Sequence, residues 1–372
     1  MQLKQLAASL ALAGTVSAQA LTDVISQTPQ LSTLGALLTQ YPAVAQTLAN
    51  ASNITVLAPT NEAFSAFLTS AVNESIAADA GLVPAVLSYH VLSGTIKSTD
   101  IPTTPAFPKT LLTNATFTNV TGGQVVKAQA VNGGVTFTSG LLKTSNVSTA
   151  DVTFSGGVVH IIDSVLTIPV SASDTATAAN LTALAGALTQ ADLVTAVDDA
   201  KDITVFAPEN SAFASIANLV STLSTQQLTS ILEYHVVNGT VGYSSTLSNG
   251  ESIPTLQGGS VKVTITNGNI FINSAEVVVP DVLIANGVAH VIDNVLNPGN
   301  STATPTGTAG SPGFSGASSA SNVPFTSGVA ATATGATATG ATGTAATAGV
   351  PRQTAAIGAA ALFGGAAFLA NM

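Results

Sequence analysis

Cysteine and tryptophan are absent, and charge is scarce: Asp, Glu, Lys and Arg together make up 7% of the residues. Without cysteine there are no disulfides, thiolate metal ligands or cysteine nucleophiles. Domains of ordinary size bury a core unaided, so this lack is compatible with an extracellular location. The eight basic residues are Lys4, Lys97, Lys109, Lys127, Lys143, Lys201, Lys262 and Arg352; none cluster, and the formal net charge is -10. Nucleic-acid binding requires a basic patch that neutralises several phosphates, so no nucleic-acid partner is expected. An anionic membrane surface is disfavoured for the same reason. With 46% hydrophobic residues, stability has to come from apolar burial and from hydrogen bonds among Thr, Ser and Asn.

What is present is a duplication. Ile54-Thr55-Val56-Leu57-Ala58-Pro59-Thr60-Asn61-Glu62-Ala63-Phe64 recurs as Ile203-Thr204-Val205-Phe206-Ala207-Pro208-Glu209-Asn210-Ser211-Ala212-Phe213. Two more pairs follow in the same order: Tyr89-His90-Val91 with Tyr234-His235-Val236, and Gly157-Val158-Val159-His160-Ile161-Ile162-Asp163 with Gly287-Val288-Ala289-His290-Val291-Ile292-Asp293. The first motif reads as a buried β-branched strand that Ala-Pro ends, since proline cannot donate to the ladder. A helix follows, with Asn61 or Asn210 as its cap, and Phe64 and Phe213 plug the core.

Around these motifs, Leu31, Leu34, Leu37 and Leu38 keep helical spacing, Pro42 separates a second helix, and Leu181, Leu184 and Leu188 repeat the plan. Pro84 suits a first helical turn, and Ser224 with Gln227 fits a capping box. Asn132-Gly133 and Asn267-Gly268 mark hairpins, and Val261, Val263, Ile265, Ile270 and Ile272 alternate with polar residues. Each half is therefore α+β, a β-sandwich or wedge with helices packed at one side.

The trio of motifs resembles the fasciclin (FAS1) domain, whose first signature is similar to Thr-Val-Phe-Ala-Pro-Thr-Asn-Glu-Ala-Phe and whose last is similar to Val-His-Val-Ile-Asp-Asn-Val-Leu. The resemblance covers residues 21 to 298 and implies two tandem FAS1 domains, at 20–169 and 174–298.

Residues 1–18 read as a secretory signal peptide, with Lys4, an apolar run and small residues at Val16-Ser17-Ala18; cleavage is expected after Ala18, with Ala20 the alternative. Residues 300–351 lack Asp, Glu and Lys and are dominated by Ala, Thr, Gly and Ser, so no core is expected there. The 299–350 tract reads as a disordered O-glycosylated stalk, the rival being a bare flexible linker. The apolar tail at 351–372 has the layout of a GPI-attachment signal, with Gly343 the leading attachment site and Gly340 next. The rival is a retained membrane span. N-glycosylation sequons stand at Asn50, Asn53, Asn73, Asn114, Asn119, Asn146, Asn180, Asn238 and Asn300. Asn53 adjoins the buried strand, whereas Asn114, Asn119 and Asn146 are expected in loops or edge strands.

His90, His160, His235 and His290 are the only histidines, and all lie in the repeated motifs. On a strand, residues three apart point to opposite faces, so Asp163 cannot orient His160, nor Asp293 orient His290. A zinc site needs about three or four protein ligands, and no third ligand type is evident. Hence no metal or cofactor is expected; each histidine should satisfy a buried backbone group, and Tyr89 and Tyr234 should fill the core. No nucleophile elbow, Walker loop or Rossmann glycine pattern occurs. Asp198, Asp199 and Asp202 read as a solvated loop.

The resemblance implies a non-enzymatic cell-surface or wall glycoprotein of fungal type, GPI-anchored, mediating adhesion or matrix interaction. Its implied partners are a surface or matrix protein or glycan, or another FAS1 domain. In animal relatives, Tyr-His and an Asp-Ile segment are implicated in integrin binding; the positions matching here are Tyr89-His90, Tyr234-His235, Asp151-Val152 and Asp281-Val282. The alternatives are a vacuolar or other membrane-anchored protein of membrane traffic, and a carrier of a small apolar or carbohydrate ligand.

Overall fold

A computed structural model describes residues 19–69, 81–220, 222–305 and 310–331. The expected leader at 1–18, Asn73, Gly340, Gly343 and the apolar tail at 351–372 lie outside the described residues.

The first domain begins with three short helices, α1 (Leu21–Ser26), α2 (Ser32–Gln40) and α3 (Pro42–Asn50). The proline-ended run then forms strand β1 (Ile54–Pro59), followed by α4 (Asn61–Thr69), α5 (Leu82–Tyr89) and β2 (Val91–Ser93). Four more strands complete one six-stranded sheet: β3 (Lys127–Val131), β4 (Gly134–Thr138), β5 (Thr144–Phe154) and β6 (Gly157–Ile162), in the order β2-β1-β6-β5-β4-β3. The two signature strands lie side by side in parallel, Ile54 opposite Gly157 through to Pro59 opposite Ile162, and every other pairing is antiparallel.

All of β1 is buried, which is why its sequence is a continuous apolar run rather than an alternation. One face, with Val56 and Val159, packs beneath Leu34, Leu38 and Phe64 of the helices. The other, with Leu57 and Ile162, meets Tyr89, Phe137 and Leu166. The strands approach so closely that Gly157 sits at φ +153°, and a Cβ there would stand 1.9 Å from the Ile54 carbonyl oxygen. Gly287 repeats this against Ile203 at 1.9 Å.

The second domain repeats the plan with α6 (Ala172–Ala178), α7 (Thr182–Gln190), α8 (Val194–Asp199), β7 (Ile203–Pro208), α9 (Asn210–Ser215), α10 (Ala217–Val220), α11 (Thr225–Tyr234) and β8 (Val236–Val237). Its remaining strands are β9 (Ser252–Pro254), β10 (Ser260–Thr266), β11 (Asn269–Ile272), β12 (Ala275–Ile284) and β13 (Gly287–Ile292). They build a seven-stranded sheet in the order β8-β7-β13-β12-β11-β10-β9, with β7 parallel to β13. Both hairpins turn at the expected Asn-Gly pairs with φ above zero at both residues. The Ser224 and Gln227 capping box is present.

Asn61 and Asn210 do not cap their own helices. Thr60 Oγ1 accepts from the Ala63 N–H instead. Asn61 reaches past α3 to the start of α2, accepting from Thr33 N at 2.9 Å and donating to Pro29 O and Ser32 Oγ at 3.0 Å. Asn210 makes the same bonds to Ala183 N, Asn180 O and Thr182 Oγ1. The asparagine thus binds two helices together across a sequence gap that a capping argument does not span.

The tract after Pro298 departs from its expected lack of packing. Residues 310–331 run back over the helical face of the second domain, with Phe314, Ala317, Val323, Phe325 and Val329 half-buried against its core. Phe325 meets Phe213 edge-on, with centroids 5.9 Å apart. The segment is pinned by Ala320 N to Ala214 O at 3.1 Å, Ser318 N to Asn218 Oδ1 at 2.8 Å, and Asn297 Nδ2 to Gly313 O at 3.0 Å.

Candidate functional site

The repeated tyrosines, histidines and aspartates form two identical internal networks, and one physical pattern explains each. His90 ends α5 and is fully buried. Its Nδ1–H donates to Val86 O at 2.7 Å, and its Nε2 accepts from Leu166 N at 2.9 Å. His235 does the same with Ile231 O at 2.7 Å and Leu296 N at 2.9 Å. Leu166 and Leu296 belong to the segments by which the chain leaves each domain, so each histidine fastens an exit. Burial pushes both imidazoles down to about 4, with the bond to the helix carbonyl acting weakly the other way.

His160 and His290 take the opposite tautomer. Nδ1 of His160 accepts from Asp151 N at 3.2 Å, and its Nε2–H donates to Ile96 O at 2.9 Å. In the copy the partners are Asp281 N at 3.3 Å and Gly242 O at 2.8 Å. Asp151 and Asp281 sit on bulges of β5 and β12 with φ of 60° and 62°. Each grips a serine from a distant loop: Ser98 N and Oγ at 2.8 and 2.5 Å, and Ser244 N and Oγ at 2.8 and 2.5 Å. The Ser98 hydroxyl, foremost, holds the Asp151 carboxyl below its ordinary value.

Tyr89 and Tyr234 are buried, with hydroxyls donating to Val125 O at 2.9 Å and Ser260 O at 2.7 Å. Asp163 and Asp293 lie three residues past their histidines and bond elsewhere, Asp163 to Asn146 N and Nδ2 and Asp293 to Glu276 N. Every ring nitrogen of the four histidines is thus committed to the backbone. A base so engaged must break a buried hydrogen bond before it can take a proton. Among the described residues there is no group of three or more His, Asp and Glu placed to hold a metal ion.

The sequons divide by what their side chains already do. Asn146 is not on a loop or an edge strand: it lies on the inner strand β5, its amide tied to Asp163 Oδ2 at 2.9 Å and Thr136 at 3.1 Å. Asn53 has φ 58° and accepts from Thr95 N at 2.8 Å. Asn300 donates to Gly313 O at 3.3 Å. Asn50, Asn114, Asn180 and Asn238 are exposed. Asn119 is half-buried where the two domains meet.

That meeting place is built from polar bonds which the sequence did not announce. Asn119 N donates to Ala285 O at 2.8 Å, buried Gln124 Nε2 to Ile284 O at 3.0 Å, and Ala285 N to Val170 O at 2.8 Å. Asp202, the counterpart of Asn53, lies in the expected loop before β7 but is tied to the first domain, accepting from Thr121 N at 2.7 Å and from its hydroxyl at 2.5 Å. Asp198 accepts from Ser173 N and Oγ. Phe107 stacks on Tyr243, centroids 4.0 Å apart and planes 14° from parallel. Between the domains lies a cavity of about 300 Å³. The apolar cleft inside the first domain, lined by Leu21, Leu34, Phe64 and His90, holds only about 20 Å³.

Two copies of one α+β module, each saturating its own repeated polar residues, define a duplicated scaffold domain. The fasciclin domain model matches residues 29–169 and 179–298, and the chain belongs to the fasciclin family. It is similar to a fasciclin-like arabinogalactan protein of Arthroderma benhamiae, 37% identical over 317 residues, covering 84% of this chain and 75% of that one. It is also similar to the fasciclin-like arabinogalactan protein elcF of Phaeosphaeria nodorum, 33% identical over 289 residues, covering 77% and 91%. Among solved structures, the FAS1 domain pair of the insect cell adhesion molecule fasciclin I aligns with 72% of this chain and 97% of its own, at 20% identity and a TM-score of 0.35.

Proposed function

We propose that this chain is a cell-surface or cell-wall glycoprotein that works by adhesion or matrix contact through its two FAS1 domains, without catalysis. The observation that carries the reading is the commitment of all four histidines to backbone partners, which leaves recognition to outer surfaces. The names of the similar fungal proteins support a glycosylated surface protein. The sequence layout supports attachment by a GPI anchor at Gly343 or Gly340, with a surface protein, a glycan or a second FAS1 domain as partner. Among the described residues no helix is long and apolar enough to cross a membrane. An aliphatic carrier function lacks room in the first domain's cleft, since about 20 Å³ holds little more than one water.

Two linked modules gain avidity when both engage at once. The test is deletion of the gene in the source organism, with adhesion, wall integrity and surface properties measured alongside. Unchanged behaviour in all three would sink the proposal. Mass spectrometry of protein released by a GPI-specific phospholipase would locate the anchor and the glycans together.

A further inference from the structure

We propose that Asn119 carries an N-linked glycan whose first sugar ring seats in the cavity between the two domains. This rests only on the passage of the chain through the secretory pathway, not on what its surfaces bind.

Three observations converge. Asn119-Val120-Thr121 is a sequon, Asn119 is among the residues that line the cavity, and its side-chain amide makes no hydrogen bond among the described residues. The cavity, about 300 Å³, is at the lower end of the range of pockets that hold small molecules, roughly 300 to 1,000 Å³. Its walls are mixed in the way a pyranose requires. Phe117, Ile168 and Pro169 offer an apolar side for the ring's C–H face, while Thr116, Ser171 and Asp199 offer partners for hydroxyls and an acetamide.

The sequon's threonine is held by the second domain, through Thr121 N and Oγ1 to Asp202, and Asn119 N is held by Ala285 O. The transferring enzyme needs this tripeptide free and extended, so modification has to precede docking of the second domain. Asp202 follows Thr121 by 81 residues. At synthesis rates of about 5 to 20 residues per second, the interval is roughly 4 to 16 s. Once docked, a sugar on Asn119 is flanked by Asp198, Asp199 and Ala285 of the later domain, and an unmodified Asn119 stays unmodified.

The test uses the full chain secreted from a eukaryotic host. Occupied sequons are mapped by mass spectrometry, and peptide N-glycosidase release is timed on native and on denatured protein. Asn119 is expected to be occupied, and released at least tenfold more slowly than other occupied sites on native protein but equally fast after denaturation. Asn119→Gln removes only the sugar, whereas Thr121→Ser keeps both the sequon and the donors to Asp202; the first should raise amide exchange at residues 119 and 202, and the second should not. An unmodified Asn119 beside occupied sequons overturns the proposal alone, as does equal release on native protein. A chain with no occupied sequon overturns this proposal, and one that also lacks O-linked sugar overturns the glycoprotein reading with it.

Discussion

Gly186→Ala should detach the 310–331 segment from the second domain while leaving that domain folded. The equivalence of Ala183 and Thr33, both donating to the repeated asparagine, sets Gly186 against Ala36 of the first domain. Ala36 is exposed, whereas Gly186 is buried beneath Phe325. A Cβ at Gly186 would stand 1.8 Å from Phe325 O and 2.9 Å from its carbonyl carbon, and backbone atoms cannot rotate away. Phe325 must therefore lift. Losing its half-burial costs about 1 kcal/mol, and losing its edge contact with Phe213 a further ~0.5–1.5 kcal/mol. A total of about 2 kcal/mol is roughly a 30-fold rise in the open population, at 1.36 kcal/mol per tenfold. Chymotrypsin cleavage at Phe314 and Phe325 tracks that population when reclosing is fast, and should accelerate by the same factor. Alanine in place of glycine favours the helix by about 1 kcal/mol, which offsets about half of the lost contact energy, so the thermal midpoint of the domain should fall by only a few degrees. Unchanged cleavage and amide exchange across 310–331 would refute the reasoning.

Acidification gives a second test. His90 and His235 titrate near 4 when folded against an ordinary 6.5, so the unfolded chain binds their protons first. Stability is full above pH 6.5, falls as pH drops from 6.5 to 4 and levels off below, by about 3 kcal/mol per histidine; urea unfolding at pH 7 and pH 4.5 measures it, and equal midpoints would defeat the assignment. Ser98→Ala should raise the Asp151 carboxyl toward its ordinary range, read by NMR titration, because the lost hydroxyl is the chief cause of its depression. Phe107→Ala removes the stack on Tyr243 and should loosen the two domains, seen as a larger radius of gyration in solution scattering with both domain cores intact.

The duplication was legible because β1 and β7 are buried on both faces, so their apolar runs had to stay intact in both copies. The turns were legible too, since Asn-Gly is among the few pairs that accept two positive φ values. Asn61 misled because a cap and a bond to a distant helix ask for the same residue type. The bonds between domains left no trace, as Thr121 and Asp202 are far apart in sequence and of common types. The 310–331 segment carried a signal that composition concealed: Phe314, Val323, Phe325 and Val329 are bulky apolar side chains set in a Gly, Ala and Ser background.

Consider, finally, load. A pull on the chain beyond residue 331 reaches Val329 and Phe325 before it reaches any strand of the sheet. Peeling these anchors one after another releases slack that is bounded by the extended length of residues 310–331, about 70 Å at 3.3 to 3.6 Å per residue. Only then does tension arrive at Leu296 and the imidazole that grips it. The segment is thus a fuse in series with the fold, spending length to spare the domain.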